Sequence, residues 1–232
     1  INHFEFLNKK LNLNLKFKRN SISSGFINVE HIPLVSAVKL GKPDVKNAKY
    51  ILDVLFEASL GALKNKYSTI VTGPINKALI NEYGFEFSGH TEFLADISNK
   101  KNVFMLLDNE ILKVALVTTH LPLKEVANNI STSKLENVIK TLNKELKQKW
   151  KIKTPKICVL GLNPHAGENG FLGSEEIEII KPAIKRLRNS KIMVEGPESA
   201  DTAFVPEKIT KYAAYIAMFH DQGLPVLKAL GF

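Results

Sequence analysis

Three histidines stand just after apolar stretches of the kind that form β-strands. They are His120, His165 and His220. The predicted strands before them span residues 112–118, 156–160 and 214–219. Because the carboxyl ends of parallel strands meet at one end of a sheet, the three imidazoles would converge there. Three imidazoles with an open fourth position are typical of a catalytic metal site, whereas a structural site is closed by four protein ligands. The spacing alone leaves two interpretations open, a shared divalent-metal site and ordinary surface or capping histidines.

Two aspartates lie where they could assist such a site. Asp201 follows a Gly-Pro turn after a predicted strand, and Asp221 comes directly after His220. Either carboxylate could accept a proton beside a bound metal ion. Helix capping is the alternative role for Asp201. The alternative for Asp221 is a hydrogen bond that orients the neighbouring histidine.

A second group of residues could bind an anionic substrate. His90 and Thr91 lie in a turn that enters a predicted helix, where Thr91 could cap the helix and free N–H groups could face an anion. Plain capping explains this segment equally well. Lys77 and Lys228 could each reach a carboxylate or phosphate, although a solvated surface lysine is the ordinary alternative.

The elements that would position these residues alternate along the chain. Apolar runs of strand length alternate with segments of helical period, which predicts an α/β fold with a mainly parallel sheet. The other predicted strands are 68–72, 103–107 and 192–194. The predicted helices are 45–64, with Leu52, Leu55, Phe56 and Leu63 inward, and 134–149, with a capping box from Ser133 to Glu136.

The composition narrows the functional classes. The chain of 232 residues carries a net charge of +9, but its lysines are scattered without interleaved aromatics, which argues against a nucleic-acid partner. The sequence contains no run of 18 apolar residues that would indicate a membrane span. The single cysteine, Cys158, lies in an apolar run, which is typical of a buried thiol. We therefore expect a cytoplasmic setting. No G-x-G-x-x-G follows a strand, so the sequence gives no support for a Rossmann dinucleotide site.

Six motifs, in order along nearly the whole chain, resemble the 4-hydroxythreonine-4-phosphate dehydrogenase family of pyridoxal phosphate biosynthesis. The motifs are residues 72–77, 89–93, 118–123, 161–168, 200–202 and 220–228. The resemblance implies a fold like that of isocitrate and isopropylmalate dehydrogenases, which binds NAD or NADP without the Rossmann fingerprint. It also implies further segments before Ile1 and after Phe232.

The family fold implies two α/β/α lobes around a cleft. The first lobe would comprise residues 1–84 and 207–232, and the second, residues 85–206, would carry the dimer contacts. The protein would be a homodimer whose active sites are shared between its subunits.

The resemblance also assigns roles to single residues. The metal ligands would be His120, His165 and His220. The substrate-binding residues would be His90, Thr91 and Lys228, and the catalytic carboxylates Asp201 and Asp221. The implied cofactors are NAD or NADP and zinc, cobalt or magnesium, whereas imidazole ligands by themselves favour zinc, cobalt or nickel.

Three other functions stay open at the level of sequence. A paralogue in the same fold would oxidise a four-carbon sugar-acid 4-phosphate, such as threonate or erythronate 4-phosphate, with the same metal site. A metallohydrolase would use the histidines to activate water. A non-catalytic basic module would bind nucleic acid with a steep salt dependence.

Overall fold

The computed structural model describes residues 2–231 and divides into two compact units, Ile1–Lys101 and Asn102–Phe232. Residues 207–231 belong to the second unit, where they share its sheet. The lobe boundaries that the family resemblance implies concern a longer, two-lobed protein, and they stay a prediction.

The regular elements of the first unit are mostly helices, joined by long irregular segments. Its elements are α1 (Asn2–Lys10), β1 (Phe17–Arg19), β2 (Ile27–Val29), α2 (Ala48–Leu63), α3 (Lys77–Glu82) and α4 (His90–Ser98). Strands β1 and β2 form a two-stranded parallel sheet. Helix α2, which a 3₁₀ turn at Val45–Asn47 precedes, packs on α3 around Ala48, Leu55, Leu79, Ile80 and Phe87.

The prediction of a helix over 45–64 is confirmed, but half of its predicted inward face is wrong. Leu55 is buried, whereas Phe56 and Leu63 are 44% and 50% exposed. The helix carries apolar residues on more than one side, so its periodicity does not decide which side packs inward. The predicted strand 68–72 is also wrong, because these residues have no regular structure and no strand of the described chain pairs with them. Val71 is correspondingly 92% exposed.

The second unit is built on a five-stranded sheet. The strands are β3 (Leu106–Asp108), β4 (Lys113–Leu116), β5 (Ile157–Leu160), β6 (Val194–Glu198) and β7 (Ala214–Ala217). Their spatial order is β3-β4-β7-β5-β6, and all neighbours are parallel except β3 and β4. The helices are α5 (Thr132–Gln148), α6 (Lys181–Asn189), α7 (Ala200–Ala203), α8 (Pro206–Ile209) and α9 (His220–Gly231).

The sheet of the second unit is covered by helices on both faces, because successive side chains of a strand point to opposite sides. Ala115 and Val159 face α5 and α6, while Val114 and Cys158 face the side covered by α9. The α/β fold predicted from the sequence is thereby confirmed. Helix α5 is capped by Ser131, whose hydroxyl accepts a hydrogen bond from the backbone N–H of Lys134 at 3.2 Å, and not by Ser133 as the sequence predicted. No described helix has both the length and the apolar character needed to cross a bilayer.

Candidate active site

Four adjacent strands of the second unit end beside one another, and each leads into a candidate residue. Strands β4, β7, β5 and β6 are followed by His120, His220, His165 and Asp201, in that spatial order. Ligands of open α/β sheets bind at this end, where the loops after the strands gather. We call this region the carboxyl end of the sheet.

Side-chain and backbone hydrogen bonds tie the four strand ends together. The Thr118 hydroxyl donates to the Met218 carbonyl at 2.6 Å, and the Met218 N–H donates to the Gln222 side-chain oxygen at 2.7 Å. The Gln222 amide then donates to the Gly161 carbonyl at 2.5 Å, and the Gly161 N–H donates to the Glu198 carbonyl at 2.8 Å. The backbone on which the candidate residues stand is therefore fixed across all four strands.

His120 and His220 form a close pair. Their ring centroids are 5.7 Å apart, with 44° between the ring planes. Two imidazoles bound tetrahedrally to one zinc ion would have centroids about 5 Å apart, given Zn–N bonds near 2.0–2.1 Å. Nδ1 of His220 lies 2.6 Å from Oδ1 of Asp221, which leaves Nε2 as the ring nitrogen available to a metal. A carboxylate bound to the far nitrogen in this way fixes the orientation and tautomer of a ligand histidine.

His165 stands apart from that pair, on an irregular turn at Pro164–Gly170. Its side chain is 65% exposed, and its Nδ1 lies 3.7 Å from Oδ2 of Asp201. Among residues 2–231, no three histidine, cysteine, aspartate or glutamate side chains are grouped so that they could hold a metal ion. The structure thus brings His120 to His220 and His165 to Asp201, but it does not bring the three histidines together.

Asp201 lies in the first turn of α7 and does not cap it. Its carboxylate accepts a hydrogen bond from the Ser199 hydroxyl, and this bond, with a smaller contribution from His165, lowers the pKa of Asp201 below its ordinary value. A carboxylate with a lowered pKa is ionised at neutral pH, and it can accept a proton only when the donor is itself made more acidic.

In the first unit, His90 begins α4 and packs edge-on against Phe87, with ring centroids 6.1 Å apart. Its Nε2 is buried and has no hydrogen-bond partner within the described part of the chain. The ring lines a cavity of about 230 Å³ together with Tyr50, Thr72 and Pro74. A buried, unpaired nitrogen beside a cavity is what a polar ligand group would satisfy.

The remaining candidates are cationic or hydroxylic groups on helices. Thr91 is an exposed residue inside α4 and does not cap that helix, whose N-cap position is Gly89. The ammonium of Lys77 lies against Gly89, where an added Cβ would be 3.2 Å from Nζ. Lys228 lies on the exposed side of α9, about two helical turns after His220.

Sequence reasoning missed Glu176, a carboxylate only 1% exposed in the π-helical turn Glu176–Ile180 before α6. A signal was available, because Glu176 occupies the same helical face as Ile180, Ala183 and Leu187, which are all buried. An acidic residue on a buried apolar stripe must be hydrogen-bonded inside the protein. Gln222 lies in the motif 220–228, but its bridging role could not be predicted from the sequence, because it depends on the order of the strands.

The sequence of the chain matches a protein-family model and several curated relatives. A family model described as pyridoxal phosphate biosynthetic protein PdxA matches residues 2–232. A 4-hydroxythreonine-4-phosphate dehydrogenase of Pseudomonas aeruginosa is 48% identical over 209 residues, which cover 90% of this chain and 64% of that protein. The protein of the same name from Stutzerimonas stutzeri is 49% identical over 200 residues, which cover 86% of this chain and 61% of that one.

A solved structure agrees with these relatives. The crystal structure of 4-hydroxythreonine-4-phosphate dehydrogenase from Klebsiella pneumoniae matches with a TM-score of 0.87 and 33% identity, covering 97% of this chain and 72% of that one. The chain spans less than two thirds of the length of the two curated relatives above. On the strength of a match over residues 2–232, the chain belongs to the family of pyridoxal phosphate biosynthetic protein PdxA.

Proposed function

We propose that the protein containing this chain oxidises 4-phosphohydroxy-L-threonine at C3, with NAD or NADP as the oxidant. The product, 2-amino-3-oxo-4-phosphooxybutanoate, is a β-keto acid that loses carbon dioxide to give 3-amino-2-oxopropyl phosphate, a step of pyridoxal 5'-phosphate biosynthesis. One observation carries the proposal: His120, His220, His165 and Asp201 follow adjacent strands of one sheet in a chain of this family.

The imidazoles fit a divalent ion in chemical type, and the His120–His220 spacing of 5.7 Å fits two ligands of one ion. We assign the third ligand position to His165, which is exposed at the same end of the sheet. Imidazole donors favour zinc or cobalt, and magnesium is the alternative because the availability of a metal in the cell can outweigh the preference of the ligands. A bound ion would supply Lewis-acid stabilisation of negative charge on oxygen. We propose a homodimer with shared sites, as the resemblance to the family implies.

Each candidate residue of the chain would then have a separate role in binding or catalysis. Asp221 holds His220 through Nδ1, and the ionised Asp201 accepts the proton of the C3 hydroxyl once that hydroxyl has been made more acidic. We also propose His90, Thr91 and Lys228 as substrate-binding residues, since a polar group of the substrate would satisfy Nε2 of His90, which has no hydrogen-bond partner among residues 2–231. A bound nicotinamide cofactor would supply the hydride acceptor. We place the reaction in the reducing cytoplasm, and the free buried thiol of Cys158 suits that setting.

The test is an assay of the native protein, with whatever residues flank this chain, on 4-phosphohydroxy-L-threonine. We expect NADH or NADPH to appear with zinc, cobalt or magnesium present, and to stop appearing after chelation. No reduced cofactor under any of these conditions would refute the proposal. Faster turnover of threonate or erythronate 4-phosphate would indicate the sugar-acid paralogue, and phosphate release without NAD would indicate a metallohydrolase.

A further inference from the structure

The buried carboxylate of Glu176 is directed at the backbone before His165. Its Oε1 accepts hydrogen bonds from the backbone N–H groups of Leu162 and Asn163 at 2.7 and 2.8 Å. Its Oε2 accepts a third bond from the Asn163 side-chain amide at 3.0 Å. Because the side chain is 1% exposed, water does not compete for these bonds. The carboxylate is therefore a fixed anchor for the chain that leaves β5.

Two glycines of the same segment pack directly on this carboxylate. A Cβ added at Gly161 would lie 3.0 Å from Oε1 of Glu176, and one added at Gly167 would lie 2.5 Å from Oε2. The segment thus touches Glu176 both before and after His165. The loop therefore lies so close to the carboxylate that a side chain at Gly167 would collide with it.

The turn that carries His165 needs such support. Residues 165–169 all have positive φ, with values of 51°, 51°, 77°, 42° and 58°. Of these residues only Gly167 adopts this conformation without steric penalty, because L-residues with a Cβ disfavour it. Non-glycine residues stay in the left-handed region only where the surrounding structure holds them there. Among the neighbours of this turn, Glu176 makes charge-assisted hydrogen bonds at its start and contacts Gly167 in its middle.

We propose that Glu176 is the positioning residue of the candidate active site: it holds the left-handed turn and so sets where the His165 imidazole stands. The inference rests on the proposed function, because it matters for catalysis only if His165 is a metal ligand. Glu176 itself does not touch substrate or metal in this assignment. It acts through the backbone of residues 161–167.

The test compares Glu176→Gln and Glu176→Ala with the matched control Glu178→Gln, which changes an exposed glutamate two residues further along the same segment. The first readout is amide hydrogen exchange of metal-free native protein over residues 161–167. We expect exchange there to speed up in Glu176→Ala, to be intermediate in Glu176→Gln because its amide oxygen still accepts hydrogen bonds, and to be unchanged in Glu178→Gln.

The second readout is zinc affinity, measured by competition with a chelator. Changes in groups that orient metal ligands typically weaken binding about 10- to 100-fold, and we expect a loss in this range for Glu176→Ala with a smaller loss for Glu176→Gln. Wild-type affinity and exchange in a folded Glu176→Gln protein would overturn the proposal, which keeps it testable even if Glu176→Ala does not fold. Wild-type protein that binds none of zinc, cobalt and magnesium would overturn the proposed function instead, while the metal-free exchange still decides the role of Glu176.

Discussion

Replacing Gln222 by leucine should destabilise the second unit more than any ordinary surface change. The Gln222 side chain bonds the Met218 N–H at 2.7 Å and the Gly161 carbonyl at 2.5 Å, so it joins β7 to β5. Met218 is fully buried and Gly161 is buried, so neither backbone group can turn to water when the amide is removed.

The magnitude follows from two orphaned groups. A buried donor or acceptor left without its partner costs about 1–3 kcal/mol. Two such groups, less a small gain from the apolar leucine, give a loss of about 3 kcal/mol in the free energy of unfolding. For a chain of this length that corresponds to a fall of roughly 6–12 °C in Tm.

The assay is urea denaturation of the native protein, followed by circular dichroism. We expect the midpoint for Gln222→Leu to fall while the slope with urea stays unchanged, as a pure loss of stability requires. The control is Gln148→Leu, the same substitution at an exposed site at the end of α5, where we expect a change within about 0.5 kcal/mol. Equal midpoints for the two variants would refute the bridging role of Gln222.

Two further predictions concern the packing of the hydrophobic core and the loss of folding stability at acidic pH. Leu142→Ala removes a fully buried side chain between α5 and the sheet and should cost about 2–5 kcal/mol, read from the urea midpoint; a cost below about 1 kcal/mol would contradict the packing. Hydrogen bonds from Lys156 and then Tyr212 lower the pKa of Glu195 from its ordinary 4.5 to about 2, so its stabilisation is present above pH 4.5 and lost as the pH falls toward 2. Because the carboxylate is 34% exposed, Glu195→Gln should cost only about 1 kcal/mol at pH 7, and its deficit against wild type should narrow below pH 4.5; a deficit that is constant with pH would exclude this linkage.

The sequence predicted those elements whose signals are local. Within the predicted strand 156–160, the run 157–160 is apolar throughout because β5 is buried on both faces. The 3.6-residue period of 134–149 matches the buried stripe of α5. The run 68–72 is rich in β-branched residues, which also favours a strand, yet a strand needs a pairing strand that no local pattern of the sequence specifies. The capping serine of α5 was misplaced by two positions, since Ser131 and Ser133 both offer a hydroxyl at the start of the helix.

The candidate site was predictable as a set of loops but not as a set of neighbours. That β7 lies between β4 and β5 decides that His220 adjoins His120, although one hundred residues separate them in sequence. The exposed direction of His165 depends on a left-handed turn, and no simple periodicity predicts the six successive positive φ values of residues 165–170. The local environment of Asp221, by contrast, could be anticipated, because its contact with His220 is between adjacent residues.

The candidate ligands are therefore held in two different ways. His120 and His220 stand two residues beyond Thr118 and Met218, whose hydrogen bond joins β4 to β7, so the sheet itself sets their separation. His165 stands beyond the sheet on a turn of unfavourable backbone conformation, and the carboxylate of Glu176 restrains it. A site of this kind requires precise geometry from the turn as well as from the strands, because a ligand displaced by about 1 Å weakens the whole arrangement. The buried glutamate is thus as much a part of the proposed site as the histidine it positions.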